Sequence, residues 1–242
     1  ILLNMANYNE FAKFYDSAVG DISKKVVFLK SLVGKHIPDA ENVLEIACGT
    51  GSILKGLSKD FKEIAGLDLS PEMVKVAQQK LPTADIRVGD MIDFSFDKSF
   101  DVVLCIFDSI NHLLLWEQWQ AVFNKVHTHL KTGGVFIFDF NTDARLEYLA
   151  SFPTQVTRLG ENFMLAKVER QNDKFCFDEK VFEKKSGNVF ELHQEDIYET
   201  SFPVEQIKNE LIKSYDVLEI ANDRNLSAEK PNWRPFLVCR KK

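Results

Sequence analysis

Three acidic residues stand at or near the ends of apolar runs, which is where a sheet can present them to a ligand. They are Glu45, Asp68 and Asp90, and the first is followed closely by Gly49 and Gly51. An apolar run, a glycine turn and an amphipathic segment predict a strand, a tight loop and a helix, with backbone N–H groups open to a ligand. Each acid could merely cap the helix that follows it. Because all three fall at strand ends, we favour one site for a cationic or hydroxyl-rich ligand.

The segments around these acids alternate regularly between strands and helices. Strands are predicted at residues 42–47, 63–68, 85–89, 101–106 and 134–140, with helices between them at 52–60, 71–80 and 117–130. This alternation is typical of a parallel sheet with helices on both faces. Near the end of the chain, a helix at 204–214 and strands at 216–221 and 236–240 are predicted, the strands being joined by a polar loop at 223–235.

Two helices are predicted before the first strand, at residues 7–19 and 22–36. The first carries four aromatic residues at helical spacing, Tyr8, Phe11, Phe14 and Tyr15. The stripe could pack into the core, or Tyr8 and Tyr15 could line a pocket. The sequence leaves both alternatives open.

Residues 154–201 break the alternation. Strand-like segments at 163–170, 175–185 and 189–201 are separated by turn signals, which predicts an antiparallel meander. Residues 1–153 and 202–242 would then form the main domain, with the meander inserted. The insertion could be a structural or dimerising addition. We favour a cover over the substrate site, because an insertion at this point leaves the sheet at its ligand-bearing edge.

The composition limits the possible functions. The chain has 242 residues, a net charge of −6 and a pI near 5.5, which argues against a nucleic-acid-binding face. Four widely spaced cysteines predict reduced, buried side chains, and no metal-ligand pattern is present, so we expect no metal. The sequence has no apolar run of membrane-spanning length and no signal peptide. We therefore expect a cytoplasmic protein, with Met5 as a candidate natural start.

Several motifs together resemble a known family. Residues 45–51, Glu-Ile-Ala-Cys-Gly-Thr-Gly, resemble the glycine motif of class I S-adenosylmethionine-dependent methyltransferases. Residues 66–73 and 89–91 are similar to the second and third motifs of that family, and residues 100–105 and 130–138 to its fourth and fifth strands. The resemblance implies a Rossmann-like, doubly wound α/β fold with a seven-stranded, mainly parallel sheet whose last strand is antiparallel. It also implies S-adenosylmethionine as the cofactor, with the N-terminal helices at 7–37 over the cofactor site.

The resemblance also assigns cofactor-binding roles along the first two strands. Glu45 and the backbone of residues 49–51 would bind the amino-acid end of the cofactor, and Asp68 would accept both ribose hydroxyls. Leu69 and Met73 would pack against the adenine. Ala47 is a departure, because the family often has glycine there.

The third and fourth strands would complete the cofactor site. Asp90 would accept the adenine amino group, Met91 would donate its backbone N–H, and Ile106 and Phe107 would border the sulfonium. The full predicted cofactor set is Glu45, Ala47, Cys48, Gly49, Gly51, Asp68, Leu69, Met73, Asp90, Met91, Ile106, Phe107 and Tyr15.

The segment after the fourth strand should face the transferred methyl group. An oxygen nucleophile usually needs a general base, and Asp108 or His112 would be the candidates, whereas a nitrogen need only be neutral and correctly aimed. His112 could equally be a hydrogen-bonded residue at a helix start. No Asn-Pro-Pro-Tyr-like motif follows this strand, which together with the acidic charge favours a small-molecule acceptor. We expect N- or O-methylation of a small molecule by a monomer or homodimer, with no nucleic-acid or membrane partner.

Two other functions remain as alternatives. An NAD(P)-dependent oxidoreductase would use the same sheet edge, but it should carry Gly-x-Gly-x-x-Gly, and the third glycine position here is Leu54. A non-catalytic cofactor-binding protein that had lost its acceptor site would keep Asp68 and Asp90 as well.

Overall fold

The computed structural model describes residues 8–222 and 233–242. The candidate start at Met5 and most of the predicted loop at 223–235 lie outside the described residues. The helices are Ala12–Val19 (α1), Ser23–His36 (α2), Ser52–Leu57 (α3), Pro71–Lys80 (α4), Trp116–His129 (α5), Asp143–Ala150 (α6) and Val204–Leu211 (α7), and Ser109–His112 forms a 3₁₀ turn. The strands are Asn42–Ile46 (β1), Glu63–Asp68 (β2), Asp85–Val88 (β3), Phe100–Cys105 (β4), Leu130–Asp139 (β5), Gln155–Leu159 (β6), Asn162–Gln171 (β7), Lys174–Ser186 (β8), Val189–Glu199 (β9), Tyr215–Asn222 (β10) and Pro235–Lys241 (β11).

Seven strands form one large sheet in the order β10-β11-β5-β4-β1-β2-β3. Strands β1 to β5 pair in parallel, and β11 runs antiparallel between β5 and β10. The predicted doubly wound sheet with an antiparallel last strand is therefore confirmed. Because β1 to β5 are parallel, their carboxyl ends lie at one edge, where ligands bind in open α/β sheets.

The central strands are buried on both faces, which explains why they appear as continuous apolar runs. On β5, Phe136 and Phe138 pack into one core and Val135 and Ile137 into the other. The helices cover these faces, and their starts carry local signals. In α4, for example, the Ser70 hydroxyl accepts the N–H of residue 73 at 3.2 Å, and a proline occupies the first turn.

The inserted segment forms a separate four-stranded antiparallel sheet, β6-β7-β8-β9, which we call the second sheet. One face, the inner face, packs on the first helix, where Val181 and Leu159 join Phe11 and Phe14 in a small core. Three strands were predicted here and four are present. The missed strand, β6, is exposed except at Leu159, so it lacks the alternating burial that identifies a half-buried strand. Helix α6, which precedes it, was also not predicted.

Two further expectations concern the cysteines and membranes. All four cysteines are free and buried, as the sequence predicted. Among residues 8–222 and 233–242, every helix is too short or too polar to cross a membrane.

The packing of α2 on α3 can be tested at Gly56. A Cβ at this position would lie 2.5 and 2.9 Å from the two Cγ atoms of Val26, whose branched side chain has little rotational freedom. We expect Gly56→Ala to lower the free energy of unfolding by about 1–3 kcal/mol in urea denaturation. Gly34→Ala is the matched control, because a Cβ at Gly34 has nothing within 4 Å, and it should raise stability by up to about 1 kcal/mol. Equal effects of the two substitutions would contradict this account.

Candidate functional site

Asp68 ties the end of β2 to the glycine turn after β1. Its Oδ2 accepts the Gly49 N–H at 2.7 Å and its Oδ1 accepts the Ser70 N–H at 2.9 Å. Burial raises the pKa of Asp68, and these two backbone hydrogen bonds oppose that rise. The carboxylate thus fixes the loop and lines the cavity described below.

Glu45 lies deeper, at the end of β1. The residue is 2% exposed, its Oε2 is buried without a hydrogen-bond partner among the described residues, and the Leu54 N–H of α3 donates to its carboxyl group. Burial raises the pKa of Glu45 well above its ordinary value, and the Asp68 carboxylate raises it further. A buried acceptor without a partner is costly, so this carboxyl group suits a ligand that brings a cation or a donor.

The turn between β1 and α3 adopts left-handed backbone conformations. Gly49 and Gly51 have φ of 52° and 72°, and a Cβ on Gly51 would lie 3.0 Å from that of Ala77. Ala47 has φ of 53°, in the region that L-residues other than glycine rarely adopt. This backbone angle explains why the family that the sequence resembles often has glycine at that position.

A cavity opens at this edge of the sheet, where ligands bind in open α/β sheets. A smaller cavity adjoins it and shares five lining residues with it. The larger cavity is lined by the predicted residues Tyr15, Ala47, Gly49, Asp68, Leu69, Met73, Asp90, Met91, Phe107 and His112, and the smaller one adds Glu45, Cys48 and Ile106. Of the predicted residues, Gly51 and Asp108 lie outside both linings. The structure therefore brings most of the predicted set together, and the role of each residue stays a prediction.

The aromatic stripe before and within α1 divides between the two alternatives. Tyr8 and Tyr15 line the larger cavity, whereas Phe11 and Phe14 pack against the second sheet.

Asp16 fixes α1 to the turn after β1 and to α4. Its carboxylate accepts hydrogen bonds from the hydroxyls of Thr50 and Ser52 at 2.6 and 2.9 Å and forms an ion pair with Lys80 at 2.5 Å.

The turn after β4 is strained and held by charges. Phe107 and Asp108 have φ of 65° and 51°, a conformation that costs roughly 1–2 kcal/mol for each residue. Arg234 bridges the Asp108 and Asp139 carboxylates at 2.5 and 2.6 Å, and Asn141 also donates to Asp108. Burial alone would raise the pKa of Asp139, but the charge of Arg234 and then that of Lys25 hold it below its ordinary value. The Asp108 carboxylate therefore forms an ion pair with Arg234.

His112 lies at the border between the cavity and the second sheet. Its Nδ1 is 3.4 Å from the carbonyl oxygen of Tyr198, and its Nε2 is 3.3 Å from the Tyr8 hydroxyl. Burial lowers the pKa of His112, so the ring is neutral near pH 7. Since a carbonyl only accepts, Nδ1 carries the proton, and Nε2 accepts from the Tyr8 hydroxyl.

The inner face of the second sheet adds carboxyl groups that the sequence analysis did not identify. Glu179 and Glu195 stand opposite each other on β8 and β9, and Glu199 lies further along β9 on the same face. Burial, then Glu195 and Asp108, raise the pKa of Glu179 from 4.5 to about 7. Burial and Asp108 also raise the pKa of Glu199 well above its ordinary value. The only sequence signal was the period of two along each strand, which assigns these residues to one face once the register is known.

A second group of titratable side chains lies at the far end of the inner face. Ligand atoms of Glu183, Glu191 and His193 lie within 4.8 Å of one another. Lys13 and Lys185 contact Glu183 at 2.7 and 2.9 Å, and hydrogen bonds from these lysines and His193 lower the pKa of Glu183 to about 2. Protein cations thus already neutralise this group, which links the α1 segment to the second sheet.

Comparisons with known proteins agree with the motifs. A family described as a methyltransferase domain matches residues 43–134. Over 139 residues the chain is 34% identical to a dTDP-3-amino-3,6-dideoxy-alpha-D-glucopyranose N,N-dimethyltransferase of Streptomyces fradiae, covering 55% of this chain and 54% of that protein. The chain thus spans about half the length of the amino-sugar relatives that it matches.

Solved structures extend the similarity to nearly the whole chain. An S-adenosylmethionine-dependent methyltransferase from Clostridium acetobutylicum is 26% identical, with a TM-score of 0.84 and coverage of 97% of this chain and 98% of that one. A sugar N-methyltransferase from Streptoalloteichus sp. has a TM-score of 0.81 at 24% identity, covering 96% and 92% of the two chains, and shares the fold.

The raised pKa of Glu179 predicts a pH dependence of stability. The folded chain keeps this proton up to about pH 7, whereas the unfolded chain releases it near the ordinary value of 4.5. Between these values the folded state binds more protons, so the free energy of unfolding falls as the pH rises. The side chain of Glu179→Gln cannot ionise, so the free energy of unfolding of this variant should not fall in the same way. In urea denaturation, its stability relative to wild type should rise by roughly 1–3 kcal/mol between pH 4.5 and 7.5. Asp196→Asn, on the opposite face of the same sheet, is the control, and parallel curves for wild type and Glu179→Gln would contradict the assignment.

Proposed function

We propose that this chain is a class I S-adenosylmethionine-dependent methyltransferase and that it transfers a methyl group from S-adenosylmethionine to a nitrogen of a small molecule. The observation that carries the proposal is the meeting of Glu45, Asp68 and Asp90, from adjacent parallel strands, around adjoining cavities at one sheet edge. A dinucleotide-dependent oxidoreductase is less well supported, because Leu54 stands where the third glycine of its motif would be.

The residues at this edge fit the chemistry of the cofactor. The buried Glu45 Oε2 has no partner among the described residues and would accept from the cofactor's ammonium, beside the backbone of residues 49–51. Asp68 would accept the ribose hydroxyls with the lone pairs left free by its two backbone bonds. Leu69 and Met73 would contact the adenine.

The remaining cofactor contacts would come from the third and fourth strands. Asp90 and the Met91 backbone would bind the edge of the adenine, and Ile106 and Phe107 would border the sulfonium. When bound, the cofactor supplies a methyl group on a positively charged sulfur. The protein's part is to aim the acceptor and exclude water, which can account for much of the acceleration of such a transfer.

The acceptor side of the larger cavity carries polar groups suited to an amine. The Tyr8 hydroxyl donates to Nε2 of the neutral His112 over 3.3 Å and keeps oxygen lone pairs that can accept from an N–H. Asp108, paired with Arg234 at 2.5 Å, would hold the strained turn in place and is poorly suited to act as a base. Nitrogen is favoured over oxygen because a neutral amine attacks without a base and because the amino-sugar relatives carry N-methyltransferase names.

The second sheet would cover this acceptor side. We propose that residues 154–201 form an inserted subdomain and that residues 1–153 and 202–242 form the methyltransferase domain. The contacts of Tyr8 and His112 with residues of β9 support this division of roles: the Tyr8 N–H donates to the Glu195 carboxylate at 2.9 Å, and His112 donates to a β9 carbonyl.

Calorimetry and a turnover assay test the proposal. The protein should bind S-adenosylmethionine in preference to NAD and should release S-adenosylhomocysteine when supplied with small primary or secondary amines. Preference for NAD would contradict the family-based cofactor assignment. Turnover with alcohols but not amines would favour oxygen as the acceptor atom, and cofactor binding without turnover over a broad panel would favour a non-catalytic binding protein.

Asp68 should dominate cofactor affinity. A hydrogen bond to a charged group is worth about 1.5–3 kcal/mol, and removing this carboxylate also releases the Gly49 and Ser70 N–H groups. We expect Asp68→Ala to raise the dissociation constant for S-adenosylmethionine at least tenfold in calorimetry. Asp60→Ala removes an exposed carboxylate paired with Lys30 and should leave that constant unchanged. An unaltered constant in Asp68→Ala would remove Asp68 from the site.

A further inference from the structure

The larger and the smaller cavity share a wall of five residues, which we call the junction. The smaller cavity reaches Glu45 but neither Asp68 nor Asp90, whereas the larger one reaches both of these aspartates but not Glu45. A ligand that contacts Glu45 and Asp68 at once must therefore extend through the junction. The junction residues are Tyr15, Ala47, Gly49, Phe107 and Ser109.

The covalent structure of S-adenosylmethionine determines which of its atoms would lie at the junction. Under the proposed function, Glu45 binds the amino-acid end in the smaller cavity, and Asp68 and Asp90 bind the ribose and the adenine in the larger one. The sulfur is the atom that joins these two parts of the molecule. The positive charge and the methyl group, both carried by that sulfur, would therefore lie beside the junction residues.

Tyr15 brings an uncharged oxygen to the junction. A Cβ built on Gly49 would lie 3.8 Å from Cε1 of Tyr15, so the hydroxyl end of the ring lies beside the glycine turn. Within the described part of the chain, this hydroxyl has no hydrogen-bond partner. Burial is the largest cause of the raised pKa of Tyr15, and nearby carboxylates raise it further. The phenol thus keeps its proton, and its oxygen is available to a ligand.

Ser109 brings a second uncharged oxygen to the junction, and the sequence analysis assigned it no role. The residue is 9% exposed, and its hydroxyl donates to the carbonyl oxygen of Ile106 at 2.8 Å. This bond uses the proton of the hydroxyl, so the oxygen keeps its lone pairs as acceptors. Ser109 begins the 3₁₀ turn that ends at His112, and this turn connects the junction to the proposed acceptor side.

Phe107, the other aromatic residue of the junction, already contacts two cations of the protein. The Lys25 ammonium lies 4.4 Å and the Arg234 guanidinium 5.8 Å from the centre of its ring. An aromatic ring attracts a cation through the negative potential of its face, and cations already in place reduce that potential. Phe107 can border the sulfur as an apolar wall, but the two uncharged oxygens are better suited to stabilise its charge.

We propose that the Tyr15 and Ser109 oxygens together bind the charged sulfur and the methyl group of S-adenosylmethionine, and that this contact raises its affinity relative to that of S-adenosylhomocysteine. The inference rests on the proposed function and adds the residues that recognise the charge of the cofactor. The attraction is that of a cation for uncharged oxygen dipoles, with weak C–H···O contacts to the methyl group. It is lost once the methyl group and the charge have left, which favours release of the product.

The test is calorimetry with S-adenosylmethionine and S-adenosylhomocysteine, and the measured quantity is the ratio of their two dissociation constants. Tyr15→Phe and Ser109→Ala each remove one hydroxyl from the junction. We expect each variant to weaken binding of S-adenosylmethionine, relative to S-adenosylhomocysteine, by about two- to fivefold, as weak contacts of this kind would give. The double variant should weaken it by about fivefold or more.

Ser31→Ala and Tyr148→Phe are the matched controls. The Ser31 hydroxyl also donates to the carbonyl oxygen three residues earlier, that of Phe28, at 2.6 Å, but Ser31 is exposed on α2. Tyr148 is 40% exposed, and neither control residue is among those that line the two cavities. Both controls should keep the wild-type ratio of dissociation constants.

The outcomes separate this inference from the proposed function. If the wild-type protein binds neither ligand, the proposed function is refuted. If it binds them, the inference alone is overturned by either of two results: a wild-type ratio in the double variant, because the two ligands then lose affinity equally, or an equal change of the ratio in the controls. Circular dichroism checks that each variant is folded, and Tyr15→Phe alone decides the question if Ser109→Ala does not fold.

Discussion

The structure of the site depends on the hydrogen bonds that the Asp68 carboxylate accepts from the backbone of Gly49 and Ser70. They join the end of β2 to the turn after β1 and to the start of α4, so three elements are fixed by one side chain. Because the left-handed backbone of that turn is intrinsically unfavourable at Ala47, an external bond of this kind is needed to keep its N–H groups in position. The same carboxylate lines the cavity, so the geometry of the loop and that of the ligand site are linked.

A second constraint connects the two ends of the chain to the acceptor side. Arg234, just before the last strand, bridges Asp108 and Asp139 at the ends of β4 and β5, and Lys25 of α2 lies 3.6 Å from Asp139. Buried charges persist when they are paired and hydrogen-bonded, and this group meets both conditions. It explains how two consecutive non-glycine residues keep a left-handed conformation beside the cavity, since the ion pairs hold the turn that the backbone alone would disfavour.

The parts of the fold and of the site that depend on local sequence could be predicted. The glycine turn, the acids at strand ends and the buried β5 run each depend on about ten residues, so their positions followed from pattern alone. The positions of Arg234 and Glu179 could not be predicted in this way, because they depend on pairing between segments far apart in the chain: β11 beside β5, and β8 against β9. Asn141 follows β5 directly, but nothing in its own stretch indicates its contacts with Asp108 and Glu199. The four-stranded form of the second sheet was missed for a related reason, since the exposed strand β6 is defined by its partner and not by its own pattern.

Neutral and acidic groups occupy different places around the larger cavity: His112 and Tyr8 line it, and the acids of the second sheet do not. Methyl transfer to nitrogen needs a lone pair, and a carboxylate in contact with the reacting amine would hold the proton that blocks it. The groups nearest the proposed acceptor position are the neutral His112 and Tyr8, while Glu179, Glu195 and Glu199 stand behind Tyr8 on another sheet. The alternation of residues along β8 and β9 places these three acids on one face of the second sheet, apart from the strands that hold the cofactor edge.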